Sequence, residues 1–110
     1  LVTTPQAVAA GVASRAGQMA LKTNQRLLGV VENMSVFVCP HCGEQSAIFG
    51  EGGGRALAEE LGVELLGQIP LTLEARMMSD EGIPAALVPN SIMQESYAAL
   101  AERVKRLLDA

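Results

Sequence analysis

Tryptophan is absent from this 110-residue sequence, and one Tyr and two Phe bring the aromatics to only 3%. A core without rings must be filled by Leu, Val, Ile, Ala and Met, which supply most of the 49% hydrophobic content. Cationic charge is also scarce: eight Lys and Arg stand against twelve Asp and Glu, a formal net charge of −4. The basic residues are scattered and form no stripe. Non-specific nucleic-acid binding depends on clustered cations that neutralise phosphates, so no nucleic-acid partner is expected. No run approaches the ~18 consecutive apolar residues of a membrane-spanning helix, so no membrane partner is expected either. Leu1–Gln6 has neither the charged region nor the apolar core of a signal peptide. Cysteine is limited to Cys39 and Cys42. A disulfide framework spreads its cysteines to close long loops, whereas a lone C-x-x-C pair points to metal ligation or redox chemistry. Such a pair fits a reducing compartment, hence the cytoplasm.

Two further absences shape the reading. The chain opens on Leu1-Val2-Thr3-Thr4-Pro5-Gln6 without an initiator Met. An apolar, β-branched stretch running straight into a helix cap reads as the end of a strand, and the expectation is a fragment of a larger domain. A phosphate loop needs G-x-x-x-x-G-K-[ST], whose amides cradle phosphates while its Lys reaches the β- and γ-phosphates. No such string occurs in the chain.

What is present alternates between strand and helix signals. Thr4 and Pro5 supply an N-cap and a first helical position. Val8, Val12, Ala16, Met19 and Ala20 then recur at helical spacing, predicting an amphipathic helix over 5–22. Leu27–Glu32 is a compact apolar run without alternation, as in parallel strands buried on both faces. Residues 34–54 read as irregular. Arg55–Leu61 reads as a short helix that Gly62 ends in the left-handed conformation. Glu64–Ile69 is the next strand, stopped by Pro70. Thr72 caps a helix over 73–80, with Gly82 and Pro84 as stop signals. Ser91 and Gln94 have capping-box spacing. The stripe Met93, Tyr97, Leu100, Val104, Leu107 and Leu108 follows, predicting a helix that covers one face of a sheet. Alternating strands and helices imply βαβ units: an α/β fold with a parallel sheet and flanking helices.

The chemistry concentrates in Val38-Cys39-Pro40-His41-Cys42-Gly43. Two intervening residues let both sulfurs turn to one point, and a Gly after the second Cys frees the backbone to aim its amides at them. Thiolates are natural ligands for zinc and for iron–sulfur clusters. A closed site usually needs four protein ligands, and the pair offers two. Two copies of the chain would offer four, and so would a partner protein with its own pair. His41, between the cysteines, is read as pointing away. The motif also resembles that of thiol–disulfide oxidoreductases, where the first Cys sits at a helix N-terminus that lowers its pKa. Here Gly43-Glu44-Gln45-Ser46 and a short β-like stretch follow instead.

Two more places could hold a ligand. Gly52-Gly53-Gly54-Arg55 opens a helix, whose free amides could bind an anion or simply form a flexible turn. Asn33 ends one apolar strand, and Pro70-Leu71 ends the next. Ligands of open parallel sheets bind beyond the carboxyl ends of the strands. An amide side chain there could read a nucleobase edge, or satisfy its own backbone in a turn.

Several blocks in one order resemble the Mrp/ApbC family of iron–sulfur carriers. They are Val2-Thr3-Thr4-Pro5-Gln6, Gly29-Val30-Val31-Glu32-Asn33-Met34-Ser35, Cys39-Pro40-His41-Cys42-Gly43, Ile48-Phe49-Gly50-Glu51-Gly52-Gly53-Gly54, Leu66-Gly67-Gln68-Ile69-Pro70-Leu71 and Asp80-Glu81-Gly82-Ile83-Pro84. The resemblance covers essentially the whole chain. It implies a deviant-Walker P-loop NTPase fold, of which residues 1–110 form the C-terminal part with a metal-binding C-x-x-C loop at 34–50. It also implies a homodimer through the C-x-x-C region that bridges a [4Fe–4S] cluster and hands it to apo iron–sulfur proteins, with ATP and Mg regulating transfer in the full-length protein. Carried onto this sequence, Cys39 and Cys42 become cluster ligands, Asn33 an adenine contact, and Pro70 and Leu71 its neighbours beside the base. No catalytic residue is assigned, and without the phosphate loop this chain is expected not to hydrolyse ATP. The alternatives are a structural zinc-binding dimerisation module and a thiol–disulfide oxidoreductase.

Overall fold

The computed structural model describes residues 1–109. Strand β1 (Val2–Thr3) leads into helix α1 (Ala7–Lys22), and the chain returns as β2 (Gly29–Val38). After a short β3 (Gln45–Ser46) come α2 (Gly53–Leu61), β4 (Glu64–Leu71), α3 (Leu73–Asp80), a 3₁₀ turn at Ala85–Leu87, and α4 (Ile92–Asp109). Strands β1 and β4 both run parallel to β2, with Val2 opposite Val31 and Val30 opposite Leu65, while β3 pairs antiparallel with its far end. The α1 and α2 crossovers therefore make two βαβ units around β2, the fold class that the alternation predicts.

The core is Ala13, Val30, Leu57 and Ala58, with Leu1, Leu61, Val63 and Leu65 packed against it. Its helix contact is made by small residues. A Cβ on Gly17 would lie 2.6 Å from Leu61 Cδ1 and 2.9 Å from Leu1 Cδ1, so a larger residue there would have to displace both leucine tips. This corrects the sequence expectation for α1. Ala13 and Gly17 are its buried residues, while Val8 and Val12 of the apolar stripe stand 83% and 65% exposed. Val2 and Met19 are exposed as well, so an apolar face over β1 and α1 lies uncovered among the described residues.

The later helix ends follow the sequence signals, but α1 begins at Ala7 behind Gln6, which makes no side-chain cap bond, rather than at Pro5 behind Thr4. Gly62 adopts φ 67° at the end of α2, and the Thr72 hydroxyl accepts from the Ala75 amide at 3.1 Å. Ser91 Oγ accepts from the Gln94 amide at 3.1 Å, and Gln94 Oε1 reaches back to the Asn90 amide rather than to Ser91 itself. Helix α4 packs on β4, where Arg103 donates to the carbonyls of Leu65 and Leu66 at 3.3 and 2.9 Å. These bonds satisfy carbonyls of a strand that, among the described residues, pairs only with β2.

Two strand boundaries differ from the sequence reading. Strand β2 does not end at Glu32 but runs on to Val38, through a kink where Met34 takes φ 54°. Strand β4 includes Pro70. The ladder steps from Asn33–Ile69 to Phe37–Leu71, so Pro70, which lacks an N–H, falls where the register shifts and no donor is required.

Candidate metal centre

The extension of β2 explains how the cysteines are presented. Phe37 pairs with Ser46 and Val38 with Gln45, so β2 and β3 form a hairpin whose tip is Cys39–Glu44. The Cys39 amide donates to the Glu44 carbonyl at 2.9 Å, and the Gly43 amide donates to the Cys39 carbonyl at 2.9 Å. Gly43 closes this turn at φ 75°, in the left-handed region that Gly enters without strain. Both thiols are free; Cys39 is half-buried and Cys42 exposed. His41 is exposed too, and no group of three or more His, Cys, Asp or Glu able to hold a metal occurs among the described residues.

The turn aims donors at one sulfur. The His41 amide, then the amide and thiol of Cys42, hold the Cys39 thiol below its ordinary pKa; burial pushes it up, and the Gly43 amide lowers it further. A sulfur surrounded by amides carries negative charge more readily, and the thiolate is the form that binds metal. No helix begins at Cys39; the next one starts at Gly53. The helix-dipole activation used by thioredoxin-type sites therefore has no counterpart here, and the backbone of the turn takes its place.

One amide of the glycine block holds an anion that the chain itself supplies. Glu32 is 2% exposed, and its Oε2 accepts from the Gly54 amide at 2.7 Å. The free amide at the start of α2 is therefore filled by an internal carboxylate. Gly53 and Gly54 are required by close approach: a Cβ on Gly53 would lie 2.5 Å from the Pro5 carbonyl oxygen, and one on Gly54 2.8 Å from Glu32. Sequence reading passes over Glu32 as an individual residue. The signal was there, because an acid closing an apolar run in a doubly covered strand must find buried partners.

Asn33, Pro70 and Leu71 come together. They line a cleft of about 500 Å³ at the carboxyl ends of β2 and β4, with Met93 and Tyr97 of α4 and Arg76 of α3 on its other sides. Asn33 Oδ1 accepts from the Met34 amide at 3.0 Å, the local turn bond that was one reading of this residue. The cysteines do not line this cleft; they lie farther along β2, beyond the Met34 kink.

A parallel βαβ sheet with a cleft beyond its strand ends defines the open α/β class of ligand-binding proteins. More particularly, the family described as NUBPL iron-transfer P-loop NTPase (ParA) matches residues 1–105, and the chain belongs to it. It is 48% identical over 105 residues, 94% of the chain, to the mitochondrial iron-sulfur protein required for NADH dehydrogenase of Arabidopsis thaliana. It is 46% identical over 104 residues, again 94% of the chain, to an iron-sulfur cluster carrier protein of Pyrococcus abyssi. The chain spans only 34% and 35% of those relatives' lengths. Among solved structures, the cell division ATPase MinD of Pyrococcus furiosus shares the fold, with a TM-score of 0.73 at 24% identity over 96% of this chain and 40% of that one. A nucleotide-binding protein of Archaeoglobus fulgidus in complex with ADP matches with a TM-score of 0.60 at 42% identity, over 72% of this chain and 32% of that one.

Proposed function

We propose that this chain is the cluster-bearing, C-terminal part of an ATP-dependent iron–sulfur carrier. The observation that carries the reading is the hairpin tip, where one tight turn brings two free thiols to the surface. The family and the carrier among its relatives support it. The cargo is a [4Fe–4S] cluster held by Cys39 and Cys42 of two chains, because each chain brings two thiolates to a cluster that takes four. The exposed tip lets a second chain supply the other pair, and lets a recipient apo-protein take the cluster by exchanging its own thiolates for these. The compartment proposed is the cytoplasm.

The cleft at the ends of β2 and β4 serves the nucleotide in the same proposal. The Asn33 amide offers a donor and an acceptor to a base edge, while Pro70 and Leu71 give it an apolar wall. The ADP complex of the Archaeoglobus fulgidus relative supports a nucleotide at this fold. Phosphate and magnesium binding fall to residues outside this chain, so its own ATPase activity is expected to be nil.

Anaerobic reconstitution with iron and sulfide tests the reading. The expected product absorbs broadly at the edge of the visible, contains about two irons per chain, and sediments as a dimer. Zinc at one ion per two chains, with no iron taken up, would replace the carrier with a structural zinc module.

A further inference from the structure

The segment between Cys42 and α2 has few attachments of its own. Residues 43–46 and 50–52 are exposed, and the hydrogen bonds along it are short-range ones within the hairpin and the turn Ala47–Gly50. Beyond the pairing of β3 with β2, its far end is tied to the sheet by Glu32. This side chain points from β2 onto the first turn of α2, where the Gly54 amide donates to Oε2 at 2.7 Å. Its second oxygen accepts from Gln68 Nε2 on β4 at 3.1 Å. The α2 dipole favours a negative charge at this position. Gly54 has no Cβ because one would collide with Glu32, and Gly53 has none because one would collide with the Pro5 backbone. The cysteine loop thus leaves β2 at Val38 and is clamped back onto the same strand six residues earlier, at Glu32.

We propose that Glu32 is a positioning residue for the cysteine pair, holding the far end of the loop so that Cys39 and Cys42 keep one geometry toward the cluster. The inference rests on the carrier reading. It makes β2 the common frame of both anchors: its end carries the thiols, and its middle carries the carboxylate that secures the loop they belong to. The carboxylate holds α2 and β4 together by offering one oxygen to each. Alanine removes the clamp altogether. Glutamine keeps an acceptor for Gly54, and the exposed Gln68 amide can flip to meet its new donor.

The test uses the protein at its full natural length, loaded with iron and sulfide and then challenged with an iron chelator. Glu32→Ala is expected to lose iron about ten-fold faster than wild type, the scale of one lost charge-assisted hydrogen bond. In the apo form it should also lose hydrogen-exchange protection at the Gly54 amide, and Glu32→Gln should restore both properties. Leu57→Ala is the control, because it removes core packing from the same helix while leaving both Glu32 hydrogen bonds in place. If Glu32→Ala releases iron no faster than Leu57→Ala, the inference is overturned and Glu32 is only a stability residue. Should Glu32→Ala fail to fold, Glu32→Asp decides by the same comparison, since its shorter side chain cannot reach Gly54 and Gln68 together. Cys39→Ser separates the two readings. If it keeps its iron, the carrier proposal falls; if it loses iron while Glu32→Ala behaves as Leu57→Ala, only the positioning role falls.

Discussion

The loop joining β2 to α2 has two unlike ends. At Pro40–Gly43 the chain is exposed, held by backbone hydrogen bonds, and open around Gly43, where a Cβ would meet nothing within 4 Å. At Gly53–Gly54 the backbone presses on Pro5 and Glu32 so closely that any side chain would collide. Both ends use glycine for opposite reasons, one to turn through a positive φ and the other to fit. For the proposed carrier, the contrast separates two demands. Its thiols must be reachable by another protein, yet they must return to one geometry after each delivery. Access is placed at the tip and rigidity at the base.

The sharpest way to break this comparison is at the tip. Cys39→Ser or Cys42→Ser should reduce bound iron from about two per chain to background, while the thermal unfolding of the apo protein stays where it was. Iron content unchanged in either variant would remove the tip from the chemistry. At the base the expectation reverses. Gly53→Ala drives a Cβ against the Pro5 carbonyl oxygen, which is backbone and cannot swing aside. Overpacking of this kind costs about 1–3 kcal/mol, read as a lower denaturant midpoint at unchanged slope. A midpoint equal to wild type would mean that the β1–α1 turn yields more easily than its contacts imply.

The same contrast explains what could be seen in the sequence. The turn at the tip was legible because its logic is local: Cys39, Cys42 and Gly43 lie within five residues, and their spacing suggests the chemistry proposed for them. The caps at Thr72 and Ser91 were legible for the same reason. The base was not, because Gly53 and Gly54 are explained by Pro5 and Glu32, residues far away in the chain. Nor was the inward face of α1. Val8, Val12 and Met19 are the larger apolar residues, but the contact with α2 is too close to admit them, and Ala13 and Gly17 take it instead. Periodicity weighs hydrophobicity, whereas close helix packing selects for smallness. The continuation of β2 past Glu32 was hidden by the Met34 kink, which breaks the strand pattern just before the residues that pair with β3. The cleft formed by Asn33, Pro70 and Leu71 was found through a topological rule, that strand ends of one sheet converge, rather than through any property of the residues themselves.

The smallest effect lies within the tip and asks how far its backbone sets the chemistry. The amides of His41 and Cys42, with a smaller contribution from Gly43, lower the Cys39 pKa. A lowered thiol pKa keeps the thiolate present at a pH where an ordinary cysteine is already protonated. Alkylation of Cys39, followed by mass spectrometry in the apo protein, should therefore reach half its maximal rate below the value of about 8.5 expected of a free thiol. The same residue in denaturant should titrate at the ordinary value. Gly43→Ala sharpens the test. Its Cβ has room, but the required φ of 75° is unfavourable for Ala, so the turn relaxes and draws its amide away from the sulfur. The native midpoint should then rise part of the way toward that of the denatured chain, while the unfolding midpoint moves less than in Gly53→Ala. A Cys39 that titrates alike in the native and denatured chain would show that the turn presents the sulfur without tuning it.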